Sequence, residues 1–159
     1  MKLRCATGSP FIVVASVTIA ASFVVAGSSA ATPVTKARYG AMLKQELARI
    51  GKVERAAQLG LARKAPAPEM KRLILAWAAG ANDVGEAFQQ VRPPADAVAA
   101  NALLARGEIT TARELTDAAK HLPSKPSAIG GYLAGVFADA RGPKLVIQAL
   151  TKLRVAGYY

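Results

Sequence analysis

Met70, Leu73, Ile74, Trp77, Ala81, Val84, Phe88 and Val91 recur at steps of three and four, with Lys71, Arg72, Asn82, Asp83, Glu86 and Gln90 on the opposite side. A strand cannot bury such a set, because its side chains change face at every residue; the segment is an amphipathic helix with one apolar stripe to cover. A second stripe, formed by Tyr39, Leu43, Leu47, Ile50, Ala57 and Leu61, runs from Thr35 to about Arg63. Alanine makes up roughly a fifth of the chain, and β-branched and aromatic residues become sparse after the first thirty positions, which again favours helix. At 159 residues, 52% of them hydrophobic, the chain has material for one core. The expected fold class is all-α.

Residues 1–31 read as an address rather than as part of that core. Lys2 and Arg4 precede an uncharged apolar run from Phe11 to Gly27, followed by the small residues Ser28, Ser29, Ala30 and Ala31. Cleavage after Ala30 or Ala31 as a signal peptide is the expectation; an uncleaved anchor is the alternative, since the run lies at the lower length limit for a membrane span. Either way, residues 32–159 form a single helical domain expected on the extracytoplasmic side, periplasmic, extracellular or anchored. Cys5 is the one cysteine, so no intramolecular disulfide can form.

Prolines and glycines divide the remainder. Pro66 and Pro68 precede the Met70 stripe, Pro93 and Pro94 follow it, and Pro123 and Pro126 close the next helical stretch. Gly107 is expected to end one helix, with a new one beginning at Glu108; Gly51 marks either a glycine within a long helix or a fold-back. Ser127 to Ala138 is uncharged and rich in glycine, which suggests a buried helix approached closely by a neighbour. Gly142 and Pro143 begin a last helix, and Gly157 ends it.

Leu47-Ala48-Arg49-Ile50-Gly51, with Ala56 and Leu59 beyond, matches Leu104-Ala105-Arg106-Gly107, with Ala112 and Leu115 at the same distances. Ala140-Arg141-Gly142 echoes the approach. In this the sequence resembles the tetratricopeptide-like helical repeats over roughly residues 36–155, with Ala100, Ala112 and Ala119 matching the small positions around Gly107. Leu43, Leu47, Ala56 and Pro68 match around Gly51. The resemblance implies stacked antiparallel helical hairpins and a surface that holds another chain. The alternative is an antiparallel four-helix bundle with helices at about 35–63, 69–91, 94–122 and 127–154.

Little in the composition points to catalysis. His121, the one histidine, stands at an expected helix end, where it favours the helix dipole. Asp83 with Glu86, and Glu114 with Asp117, are spaced as neighbours on a helix but read as solvated charge without a histidine partner. No phosphate loop or cysteine-based zinc site is present, and no enzyme activity, metal or cofactor is expected. The formal charge of +11 draws the protein to anionic partners. Arg38, Lys44, Lys52, Arg55 and Arg63 share one side of the first helix and are the candidate binding face. The expected function is a non-catalytic exported scaffold for an envelope or exported protein or an anionic envelope surface, with nucleic acid disfavoured by the lack of interleaved aromatics. The alternative is a bundle carrying a small apolar molecule around Trp77, Tyr132 and Phe137.

Overall fold

Local chemistry sets most of the helix boundaries. The computed structural model describes residues 32–159, and the expected signal peptide or anchor lies outside the described residues. The Thr35 hydroxyl accepts from the Arg38 amide at 3.3 Å and caps α1, Lys36–Ala62. Proline in the first turn starts α2, Ala67–Gln90, and α4, Pro126–Asp139. Pro93 and Pro94 separate α2 from a 3-10 turn at Ala95–Ala97, which leads into α3, Val98–Lys120. The last helix, α5, spans Arg141–Val155. Gly157 then adopts φ +74°, and its amide and that of Tyr158 bond the carbonyls of Arg154 and Leu153, returning Tyr158 to the core. The expected all-α class is found: five α-helices, and no strand among the described residues.

Close contacts give the helix directions. Gly60 of α1 faces Met70 and Leu73 of α2, while Gly80 of α2 faces Val53 of α1. Gly85 of α2 lies on Ala105 and Ile109 of α3; Gly107 and Thr111 of α3 meet Val146 and Gly142 of α5, respectively. Each pair runs antiparallel, and α3 is packed on both α2 and α5. One core cluster gathers Tyr39, Leu43, Phe88, Leu104, Leu153 and Tyr158; a second gathers Met70, Ile74, Leu115, Ile129 and Leu133 beneath α4.

The turn expected at Gly107 is not there. α3 runs unbroken through Arg106, Gly107 and Glu108, and α1 runs unbroken through Gly51. The reason differs between the two glycines. A methyl group at Gly107 would sit 2.9 Å from the Val146 amide nitrogen, so its missing side chain admits α5. At Gly51 the same methyl would meet nothing within 4 Å. The fourth long helix of the bundle alternative is also corrected: it breaks at Ala140, whose φ −55° and ψ 129° are extended. Continued helix through this point would drive the Pro143 ring against the carbonyl of Asp139. The glycines expected to seat a neighbour on α4 do not do so, since Gly130, Gly131 and Gly135 all face open space.

Glu114, expected as solvated charge, instead caps this new helix start. Its carboxylate accepts from the Arg141 amide at 2.8 Å and the Gly142 amide at 3.1 Å, and Pro143 has no amide proton to satisfy. Asp117 is exposed and pairs with Lys120, as expected of surface charge.

The two glycines should therefore respond in opposite senses to one added methyl. Gly51→Ala is expected to stabilise the protein by up to about 1 kcal/mol through helix propensity, whereas Gly107→Ala should cost about 1–3 kcal/mol by overpacking the α3–α5 contact. Urea unfolding measures both, and a loss of stability at Gly51 equal to that at Gly107 would contradict the assignment.

Candidate functional site

The N-terminal end of α1 and the end of the chain are clasped together. Tyr39 is fully buried, its hydroxyl donates to Asn101 Oδ1 at 2.9 Å, and Asn101 Nδ2 donates to the Phe88 carbonyl at 2.8 Å. The Tyr39 ring meets Phe88 and Tyr158 edge-on, at 5.9 and 5.2 Å between centroids. Tyr158 donates to Asp96, and the Lys36 ammonium lies over the Tyr158 ring while bonding the Ala156 carbonyl. Burial and the neighbouring Tyr158 hydroxyl both raise the pKa of Tyr39, so it stays a neutral donor.

Beyond this clasp α1 and α5 border a cleft of about 440 Å³. Leu47, Ile50, Gly51 and Glu54 line it from α1, and Pro143, Val146, Ile147 and Leu150 from α5. Glu108 and Thr111 come from α3, Trp77 from α2 and Phe137 from α4. The open space next to Gly51 is this cleft. Trp77 and Phe137 pack with centroids 5.5 Å apart and planes tilted by 33°. Trp77, expected as a core anchor, is half-buried; it packs against both core clusters and also faces the cleft. Tyr132, expected beside it, is placed elsewhere and donates to the Ala118 carbonyl at 3.2 Å.

Glu108 is the unusual group of the site. It is 3% exposed, and no hydrogen bond or ion pair from a described residue reaches its carboxyl. No fully enclosed side-chain oxygen lacks a partner among the described residues, so the carboxyl must open onto the cleft. Burial first, and the charge of Glu54 second, push its pKa from the ordinary 4.5 up to about 7. Glu54 is half-buried and accepts from Gln58 Nε2 at 3.0 Å. Sequence reading missed both carboxyls. Glu108 falls four residues after Leu104 and three before Thr111, on the buried side of α3, but a turn at Gly107 would have made it an ordinary acid in a first helical turn. Glu54 likewise lies between Ile50 and Ala57 on the stripe of α1.

A larger groove of about 560 Å³ between α2 and α3 is lined by Leu75, Asn82, Arg113, Asp117 and Lys120 among others. Its Asp117 and Lys120 already neutralise each other, and it holds no unpartnered buried group. The basic-face residues Arg38, Lys44, Lys52, Arg55 and Arg63 are all exposed; Arg63 pairs with Glu69, and the other four form no salt bridge with a described residue. His121 is exposed at the C-cap of α3. Among the described residues no group of three metal-ligating side chains occurs, and no helix is long and apolar enough to cross a membrane. No family model, curated protein or solved structure matches the chain.

The raised pKa of Glu108 ties stability to pH. The folded protein holds this proton more tightly than the unfolded chain, so the favourable contribution is complete below about pH 4.5 and is lost as pH rises through about 7. Glu108→Gln removes that ionisation penalty and should be more stable than the parent by up to about 3 kcal/mol at about pH 8. The two proteins should converge near pH 4.5. Denaturant melts across this range test the linkage; parallel stability curves would contradict it.

Proposed function

We propose that the protein is an exported, non-catalytic helical bundle that holds a small, largely apolar ligand in the cleft between α1, α3 and α5. The observation that carries this reading is the cleft itself: about 440 Å³ of space with aliphatic and aromatic walls and a buried carboxyl that no described residue satisfies. Binding sites for small molecules have this composition, an apolar lining with a few polar groups that fix orientation. Binding rather than turnover is favoured because the cleft lining offers no histidine, lysine, cysteine or serine to pair with the carboxyls as base or nucleophile. The export expected of residues 1–31 would place the cleft, and the ligand it meets, outside the cytoplasm.

Trp77 is the single tryptophan and lines the cleft, so its fluorescence reports on occupancy directly. Titration with a panel of lipids, haem and metabolites should give a saturable change with at least one apolar compound. Gly51→Phe, which points a ring into the open space, should abolish that change. A folded protein whose Trp77 emission stays constant across the panel would remove the ligand-carrier reading.

A further inference from the structure

Among the described residues, the ionisable side chains that line the cleft are Glu54 and Glu108 alone, from α1 and α3; the lining contributed by α2, α4 and α5 carries no charge. This is out of keeping with the rest of the domain, where residues 32–159 contain 19 basic against 10 acidic side chains once Lys2 and Arg4 are set aside from 21. Among the described residues, no lysine or arginine lines this cleft.

Resting on the ligand-carrier reading, we propose that the occupant is an organic cation with an apolar body, an amine or quaternary ammonium whose charge is met by Glu108 and Glu54. Its body lies against Trp77, Phe137 and the aliphatic walls. A neutral apolar occupant would strip the remaining water from Glu108 and return nothing, which burial of an ionised group makes costly. An anion meets two carboxyls of like sign. A bare divalent metal ion needs more oxygen ligands than two carboxylates supply in a lining that is otherwise mostly aliphatic and aromatic. A cation with an apolar body satisfies the carboxyls and the walls together.

The chemistry also makes binding depend on pH. Glu108 must be ionised to attract the cation, and its carboxyl titrates at about 7 in the free protein. Glu54 is the charged group that acts on it from α1.

The test uses three probes with one phenylbutyl body: phenylbutyltrimethylammonium, 4-phenylbutanol and 4-phenylbutyrate, titrated against Trp77 fluorescence and by calorimetry. At about pH 8 the trimethylammonium compound should bind about tenfold or more tightly than the alcohol, a difference of about 1.4 kcal/mol, and the carboxylate should bind most weakly. Trimethylammonium keeps its charge at every pH, so weakening of that preference at about pH 5 reports on the protein. Glu108→Gln, checked for fold by circular dichroism, should weaken the preference at about pH 8, and the double variant Glu54→Gln/Glu108→Gln should abolish it. Equal affinities, tighter binding of the alcohol or carboxylate, or a cation preference that survives the double variant Glu54→Gln/Glu108→Gln would overturn the proposal while leaving the apolar cleft in place. No binding by any of the three would overturn the proposal and the ligand-carrier reading together.

Discussion

The structure depends on how closely two helices approach α3. At Gly85, backbone atoms of Ala105 and Ile109 lie 3.0 and 3.1 Å from where a methyl would be, and at Gly142 the Thr111 backbone occupies that place. Gly107 makes the third such contact, against the Val146 amide nitrogen. With α2 and α5 both drawn in, α3 becomes the most enclosed helix of the domain, and alanines fill its remaining contacts at Ala100, Ala105, Ala112, Ala118 and Ala119. Close packing of this kind tolerates no added volume without displacement of backbone, so the interhelical spacing is fixed by composition.

That enclosure creates the site. A residue on a solvated helix can carry a carboxylate at little cost, but Glu108 sits where α3 is covered by its neighbours. The Tyr39–Asn101–Phe88 hydrogen bonds and the Tyr158 contacts tie α1 to the end of the chain at one extremity, and the Trp77–Phe137 pair joins α2 to α4 farther along. Between these two anchors α1 and α5 are lined by Leu47, Ile50, Val146 and Ile147, leaving space above Glu108. The Glu114 cap contributes indirectly: it lets α5 begin at Arg141, and Pro143 and Val146 then face the cleft.

Much of the fold was legible from residue spacing, because apolar periodicity reports directly on which face a helix buries. The stripe from Met70 to Val91 appears as α2, and the proline pairs stand at real boundaries. Glycine was read less well. At Gly107 a glycine that ends a helix and one that admits a neighbour look alike in sequence, since the distinction lies in the partner surface, Val146 of α5, almost forty residues away. The misplaced turn then hid Glu108, whose burial follows only if the helix continues. Glu114 was hidden for a similar reason: its two amide donors belong to Arg141 and Gly142, which no local pattern connects to it. The aromatic pair was partly legible, since Trp77 and Phe137 do meet at the cleft whereas Tyr132 turns to α3.

A continuous α3 with an unpartnered carboxyl under an apolar cleft has one direct signature, the titration of that carboxyl. Carbon NMR of selectively labelled glutamate side chains, with Glu108 assigned by comparison with Glu108→Gln, reads its midpoint without reference to any ligand. A midpoint of about 7 is expected for Glu108. A midpoint at the ordinary 4.5 would place that carboxyl in water or against a cation, and would contradict both the buried position of Glu108 and the cleft chemistry built on it.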